Sequence, residues 1–435
     1  MTGGREVAAA VALRIADALA DPAEVARTLP AERRHTLGDG LAGTGLLHAL
    51  LAGAVPGAAA RARAHWRLAA ETLGDARPDG VFRGPGGLAA SLLAGAAVVS
   101  RGEGRADTVS DAVRDGVRWL SARTEVIAGR PWPGTVPRSF ALPWTVYDVM
   151  SGLSGTGRVL LAAYGAGWAA EAAPGLLAAQ SVLTRMVLGG TPDRPGWWQP
   201  AGHLPGRAPD RGEGAALTGA AHGIAGPLAL LALGESTGPP VAGRREAVRA
   251  AADWLVSVQE NGSWPPRTPY GAARRTDPGH GPGPGPGPGR GFGRRDAWCY
   301  GSPGVARALA LASTALGDPA YARVAGLALT ALAGRPGTTW DTDGAGLCHG
   351  SAGVLVCAMR AGHRSLVESA ARLTLRLAPG PPTARAGSPD APTPGAASRC
   401  GFLGGAAGTA LALAQYAGLL PQSSPVPWDC LLLAG

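Results

Sequence analysis

Segments that are apolar on nearly all sides alternate along the chain with segments that are apolar on one face only. GLLHALLAG (residues 45–53) and GPLALLALG (residues 226–234) are of the first kind. They predict buried helices, because Ala and Leu favour helix over strand. Residues 246–259 are of the second kind, with the i, i+3, i+4 spacing of an amphipathic helix. Its apolar positions are Val248, Ala251, Ala252, Leu255 and Val258. The alternation predicts pairs of inner and outer helices.

A Gly-x-x-Gly motif comes directly before each of the buried segments. Successive motifs begin 44 to 78 residues apart, which is enough for two helices and their loops. The seven pairs are Gly40/Gly43, Gly84/Gly87, Gly152/Gly155, Gly223/Gly226, Gly301/Gly304, Gly350/Gly353 and Gly405/Gly408. Seven helix pairs of this kind predict one all-α domain over residues 1–435, a closed ring with an inner and an outer layer. Glycine at the starts of the inner helices would let their backbones approach closely.

Four stretches do not fit the repeat. Residues 189–214, 279–293 and 379–398 are rich in Gly and Pro and are predicted to be extended or mobile surface loops. Residues 121–147 are irregular, and we expect a few short strands there.

Composition and charge narrow the class of protein. The 68 glycines and 38 prolines make up about a quarter of the chain, close to the range of disordered proteins. However, 46% of residues are hydrophobic and only 16% are charged, which favours a folded core. The formal charge of +9 comes from arginines scattered along the chain. A nucleic-acid partner is not expected, because such proteins usually cluster their basic residues.

The sequence also favours a cytoplasmic location. No apolar run is long enough to span a membrane. The N-terminal stretch is interrupted by Glu6, Arg14 and Asp17, unlike the apolar part of a signal peptide. The five cysteines are an odd number in a long chain, which argues against a disulfide framework and for reduced thiols.

Polar residues with useful chemistry precede the later glycine pairs. Cys299 and Cys348 each lie two positions before the first glycine of a pair, and His222, Tyr300 and His349 each lie one position before. In a ring, residues at equivalent positions of the repeat would face one central mouth. Two thiolates and one imidazole suit Zn²⁺, and three protein ligands leave a fourth position open, as in catalytic zinc sites.

Simpler interpretations exist for the same residues. The two cysteines could be small buried packing residues. His222 could be a hydrogen-bonded core histidine, and Asp148, four positions before Gly152, could cap the inner helix. A fourth ligand from Cys400 would make the zinc site structural. The shared position of two cysteines with an adjoining histidine favours a metal site over packing.

Three motifs together resemble the lanthipeptide synthetase C-like family, the lanthionine cyclases. They are GAAHG (residues 219–223), RDAWCYG (residues 295–301) and LCHG (residues 347–350), and DVMSGLSG (residues 148–155) is similar to the aspartate segment of the family. The resemblance covers nearly the whole chain, since all seven repeats are present in order. It implies an (α/α)7 toroid with irregular Gly/Pro-rich loop insertions and a zinc ion at one mouth.

The resemblance also implies roles for individual residues. The zinc ligands would be Cys299, Cys348 and His349. His222 would be the acid/base, with Asp148, Arg295 and Tyr300 lining the site. His222 would protonate Cα, Arg295 would stabilise an enolate oxygen, and Asp148 would either orient His222 or take up the thiol proton. Members of this family close thioether rings by adding a peptide Cys thiol to dehydroalanine or dehydrobutyrine.

The implied partners are a dehydrated precursor peptide with leader and core, a separate dehydratase and an exporter. The second spacing between glycine pairs exceeds the first by only 24 residues. The strand-containing insertion common in the family is therefore expected to be reduced to residues 121–147, and no dehydratase-like segment precedes the repeats, as expected for a stand-alone cyclase. Two alternatives stay open: addition of glutathione or another thiol to dehydroamino acids, and a non-catalytic peptide-binding scaffold held by zinc.

Overall fold

Helices dominate the computed structural model, which describes residues 2–74, 80–99, 106–130, 142–191, 194–205, 214–269, 295–379 and 400–435. The described helices are α1 (Thr2–Ala18), α2 (Pro22–Arg27), α3 (Leu41–Leu50), α4 (Ala58–Glu71), α5 (Pro85–Val99), α6 (Ala106–Ala128), α7 (Trp144–Tyr147), α8 (Leu153–Gly165), α9 (Ala169–Leu188), α10 (Ala225–Thr237), α11 (Arg244–Ser257), α12 (Ser302–Leu316), α13 (Pro319–Ala333), α14 (Ser351–Arg360), α15 (Arg364–Leu377) and α16 (Ala406–Ala417). None of the described helices combines the length and the apolar character that a membrane span requires.

Seven of these helices form the inner layer, and each begins at one of the glycine pairs. They are α3, α5, α8, α10, α12, α14 and α16. Each packs against the next, and α16 packs back against α3, so the layer closes. The outer partners are α4, α6, α9, α11, α13 and α15, and the seventh is α1, which packs on α16. The predicted (α/α)7 toroid is confirmed, and the first helix, α1, packs on the last inner helix, α16, in the last repeat.

The glycine pairs bring backbones together at the start of each inner helix. In all seven repeats, a Cβ on the second glycine would contact the carbonyl oxygen of the residue six positions earlier. At Gly155 and Gly353 that Cβ would overlap the carbonyl oxygens of Val149 and Leu347. The turn before each inner helix therefore folds tightly onto the first helical turn. The expectation that these glycines permit close approach is confirmed.

Backbone hydrogen bonds join these turns around the ring, with N···O distances of 2.8–3.2 Å. We call this series the mouth belt. In donor-to-acceptor order its residues are Val149, Ala221, Cys299, Cys348, Leu403, Gly38 and Phe82. Six of these seven lie two positions before the first glycine of their pair, so the belt aligns equivalent positions of successive repeats at one end of the toroid.

The structure corrects the expectation for residues 121–147. Residues 121–128 continue α6, and residues 144–147 form α7, while 131–141 lie outside the described residues. The helix tolerates its polar residues here because Thr124 Oγ1 donates to the Leu120 carbonyl at 2.7 Å, and Ser121 Oγ accepts from Gly175 N at 2.9 Å. Short strands were predicted in this stretch, and none is found in its described part.

The described strands occur later in the chain. They are β1 (Trp198–Gln199), β2 (Ala215–Leu217) and β3 (Arg267–Pro269), which form an antiparallel sheet in the order β1-β2-β3. Trp198 pairs with Ala216, which pairs with Thr268. The predicted loop 189–214 thus contains β1. The loop 279–293 and residues 380–398 of the third loop lie outside the described residues.

Candidate active site

The mouth belt brings two cysteines and a histidine together. Cys299 and Cys348 lie in the turns before α12 and α14, and the Cys299 N–H donates to the Cys348 carbonyl at 3.2 Å. The donor atoms of Cys299, Cys348 and His349 all lie within 4.8 Å of one another. The Cys299 Sγ is 3.0 Å from the His349 Nδ1. Both cysteines are buried, whereas His349 is exposed at the edge of the cluster.

The contacts among Cys299, Cys348 and His349 favour the thiolate form of one of the two cysteines. A hydrogen bond with Cys348, supported by His349, lowers the pKa of the Cys299 thiol to about 5. The same contact raises the pKa of Cys348 well above its usual range, and the hydrogen bond to Cys299 raises the pKa of His349. A buried thiolate beside a second sulfur and an imidazole is a donor set suited to Zn²⁺. The residues present therefore fit the predicted metal.

A fourth protein donor is not part of this group among the described residues. The structure does not bring Cys400 to the cluster, as the alternative of a structural zinc site would require. Its Sγ lies 3.6 Å from the Thr28 Oγ1. Three donors leave one position of a tetrahedral site for another molecule, which is the arrangement of catalytic rather than structural zinc.

An aspartate–histidine pair lies at the same mouth. The Val149 N–H donates to the Ala221 carbonyl in the belt, which places Asp148 beside His222. The His222 Nδ1 is 2.7 Å from the Asp148 Oδ2, and the Asp148 Oδ1 accepts from the Ser151 N–H at 2.8 Å. Asp148 is fully buried, while the His222 side chain is 24% exposed. The carboxylate thus holds one imidazole nitrogen and leaves Nε2 for a substrate.

The electrostatics of Asp148 combine two opposing effects. Burial raises the pKa of this carboxyl, and the hydrogen bond with His222 opposes that shift. The proposed capping role is met in part, because Asp148 binds the turn ahead of α8, although the residue that directly precedes α8 is Gly152. Capping and orientation of His222 use different carboxylate oxygens and coexist.

Two aromatic side chains flank His222. The Tyr300 ring lies 6.3 Å from the imidazole centroid, on the residue that follows Cys299. Burial raises the pKa of the Tyr300 phenol and keeps it protonated. Trp144, which the sequence did not single out, meets the imidazole edge-on at 4.7 Å. Gln199 of β1 holds it in place by accepting from the Trp144 N–H at 3.2 Å.

Arg295 lies at the rim, in ion pairs with two carboxylates. Its Nη1 is 3.1 Å from the Asp341 Oδ1, and its Nη2 is 2.7 Å from the Asp343 Oδ2. The Asp343 N–H donates to the His349 carbonyl at 2.8 Å. Arg295 therefore links the turn that carries Cys299 to the loop that carries His349. The sequence motif indicated that Arg295 lines the site but not this link.

Comparisons with known proteins agree with this architecture. A family model described as lanthionine synthetase C-like protein matches residues 32–432. Among solved structures, the chain is similar to "Nisin cyclase", with a TM-score of 0.69 and 18% sequence identity over 94% of each chain. A comparison with curated protein sequences gave no significant match. At this identity the structural match supports the helical toroid, and the family match covers all seven glycine pairs.

Proposed function

The chain belongs to the lanthionine synthetase C-like family, and on that premise we propose that it is a zinc-dependent lanthionine cyclase. Its substrate would be a dehydrated precursor peptide, in which a Cys thiol adds to dehydroalanine or dehydrobutyrine to close a thioether ring. The observation that carries the proposal is a three-donor Cys/His cluster at the same mouth as a carboxylate-held histidine. A cytoplasmic location, expected from the sequence, stays a prediction, as do the separate dehydratase and the exporter that the resemblance implies.

Cys299, Cys348 and His349 would hold the zinc ion. When bound there, zinc supplies a Lewis acid that lowers the pKa of a thiol, so that the sulfur is a nucleophile at neutral pH. The burial of both cysteines excludes water from the protein side of this cluster. Their position in the mouth belt fixes the two sulfurs on adjacent turns without help from flexible loops.

His222 would handle the proton at the carbon centre. The peptide thiol releases its proton to water, and its sulfur forms a bond to Cβ of the dehydro residue. The electron pair of the double bond moves toward the carbonyl, and Cα then takes up one proton, so that the peptide loses and gains one proton in all. The Asp148 carboxylate holds the His222 Nδ1, so the proton is delivered from Nε2. The contact supports the role of Asp148 in orienting His222 over uptake of the thiol proton.

Arg295 and Tyr300 would line the same site at the mouth of the toroid. The two ion pairs of Arg295 favour a role in holding the turns of Cys299 and His349 together, alongside the proposed interaction with an enolate oxygen. Tyr300, protonated and beside His222, would offer a neutral donor to the substrate. Trp144 adds a second aromatic ring in contact with the imidazole.

Ring closure leaves the peptide mass unchanged, so the test follows free thiols. Zinc-loaded protein is incubated with a panel of dehydrated lanthipeptide precursors, and the remaining Cys is alkylated with N-ethylmaleimide and counted by mass spectrometry. Loss of alkylation that depends on protein and zinc would support the cyclase.

A parallel reaction contains glutathione and a dehydrated peptide without Cys. A mass gain of one glutathione there, with no ring closure in the first reaction, would favour the general thiol-adding enzyme. Peptide binding without either reaction would favour the non-catalytic scaffold.

A further inference from the structure

The chain places its own last residues inside the ring. We call residues 428–435 the axial segment. Residues 428–434 are each at most 5% exposed. The segment packs against α5 and α8 on one side of the inner layer. It is hydrogen-bonded to Arg307 of α12 and Arg360 of α14 on the other side. A segment that touches both sides of a ring of helices occupies the central space that the ring encloses.

Three guanidinium groups hold this segment, those of Arg158, Arg307 and Arg360. Arg158 and Arg307 occupy equivalent positions, six residues after the first glycine of their repeats, and donate to the carbonyls of Gly435 and Ala434 at 2.6 and 2.7 Å. Arg360, the last residue of α14, donates to both oxygens of Asp429 at 2.5 Å. Since α14 begins at the mouth, Asp429 lies toward the opposite end. The axial segment therefore enters from that end and rises toward the mouth.

One hydrogen bond connects the axial segment to the cluster of cysteines. The indole of Trp298, the residue directly before Cys299, is 1% exposed and donates to the Leu432 carbonyl at 2.8 Å. The rest of Trp298 is tightly enclosed. Its carbonyl lies against Gly304 of α12, and a Cβ on Gly353 of α14 would lie 3.0 Å from its Cβ. Trp298 is thus wedged between two inner helices, with its tip on the axial segment.

We propose that the axial segment is the floor of the active site and that Trp298 is a positioning residue through which this floor sets the affinity of the zinc site. The inference rests on the proposed zinc site. The reason is geometric: with Trp298 fixed at its carbonyl, its Cβ and its indole nitrogen, the following residue, Cys299, has little freedom to move away from Cys348. Loss of a group that orients a metal ligand typically weakens metal affinity about 10- to 100-fold.

The test compares two tryptophans of equal burial. Trp298→Phe removes the donor to the axial segment and keeps an aromatic ring. Trp264→Phe is the matched control, because the indole of Trp264 is also fully buried and donates to a backbone carbonyl, that of Leu255, at 2.7 Å. Zinc affinity is measured by titration of each metal-free protein with zinc in competition with a chromophoric chelator. We expect the Kd for zinc to rise about 10- to 100-fold in Trp298→Phe and less than about threefold in Trp264→Phe.

A second variant keeps the inference testable if Trp298→Phe does not fold. Arg307→Met releases the axial segment from α12 and leaves the cysteines and Trp298 intact, and it should raise the Kd for zinc at least about threefold. Circular dichroism and thermal unfolding establish that each variant is folded. Wild-type affinity in the folded variants at Trp298 and Arg307 would overturn the inference alone. A wild-type protein that binds no zinc would overturn the proposed function and this inference together.

Discussion

Two pairs of histidines lie at different places in the toroid and have different partners. The first pair, His48 and His65, is buried between α3 and α4, with ring centroids 5.1 Å apart. The His48 Nε2 is 2.9 Å from the Leu19 carbonyl, and the His65 Nε2 is 3.4 Å from the Ala20 carbonyl. Since these carbonyls directly follow α1, the pair fastens the N-terminal helix to the first repeat and helps to close the ring.

The second pair, His222 and His349, lies at the mouth and faces anionic partners. His222 contacts the Asp148 carboxylate at 2.7 Å, and His349 contacts the Cys299 sulfur at 3.0 Å. Burial lowers the pKa of both His48 and His65, whereas the sulfur contact raises that of His349. Burial against neutral carbonyls disfavours the charged imidazole of His48 and His65, whereas contact with an anionic sulfur favours that of His349. The two pairs thus differ in their partners, which are backbone carbonyls for the histidines that join α1 to the first repeat and anionic side chains for the histidines at the mouth.

The largest expected effect comes from removal of a thiolate at the mouth. Cys348→Ala should weaken zinc binding by about 10³-fold or more and abolish ring closure, since two donors cannot form a stable site. Zinc content after dialysis and thiol alkylation of the product peptide are the measurements. Cys400→Ala is the control, because Cys400 is equally buried but contacts Thr28 instead. Stoichiometric zinc in Cys348→Ala would contradict the assigned ligands.

Substitution of His222 should lower catalysis and leave metal binding unchanged. His222→Asn should lower kcat about 10²- to 10⁴-fold, because the proton donor for Cα is lost. Zinc content should stay unchanged, since His222 is not part of the donor cluster. A variant that keeps wild-type turnover would show that another group supplies the proton.

A smaller decrease is expected for Asp148→Asn. The amide keeps the shape and the contact with the Ser151 N–H but removes the carboxylate that holds the His222 Nδ1, so kcat should fall about 10²-fold, the lower end of the range for a proton-transfer group. Steady-state kinetics with zinc-loaded protein provide the measurement. An unchanged kcat would reduce Asp148 to its role in the turn before α8.

Substitution of His48 or His65, which join α1 to the first repeat, should change the stability of the protein and leave its activity unaltered. The pKa of His65 is lowered to about 4 by burial, below its unfolded value of about 6.5. The unfolded chain therefore binds the proton first. The stabilisation is complete above pH 6.5 and is lost as the pH falls toward 4, by about 2 kcal/mol between pH 7 and pH 5.

Urea unfolding of metal-free protein in EDTA at the two pH values measures this change. His65→Gln should remove that part of the pH dependence. An equal loss of stability in both proteins would contradict the assignment.

The repeat made much of the site predictable. Residues at one position of the repeat face one mouth in any closed ring, so the shared position of Cys299 and Cys348 was sufficient to bring them together with His349. His222, one position before Gly223, was expected nearby for the same reason. The glycine spacing was sufficient for this prediction, because the belt is built from backbone groups.

Contacts outside the repeat were not predictable from it. Trp144 reaches His222 because Gln199, 55 residues later, holds its backbone. No glycine pair precedes α1, so its place as the seventh outer helix depends on closure of the whole ring. Residues 121–128 were misread because the polar Ser121 and Thr124 bond to backbone groups within the helical layers, which local sequence does not reveal.

The mouth belt holds equivalent backbone positions of successive repeats side by side. Its bonds involve only main-chain atoms, so they do not depend on which side chain the two cysteine positions carry. Leu403, whose carbonyl accepts the Cys348 N–H, lies at the equivalent position of the next repeat. A cysteine at position 403 would place a third thiol at the equivalent position of the next repeat. The backbone of the belt thus fixes the position of a reactive group, and the side chain alone decides which group it is.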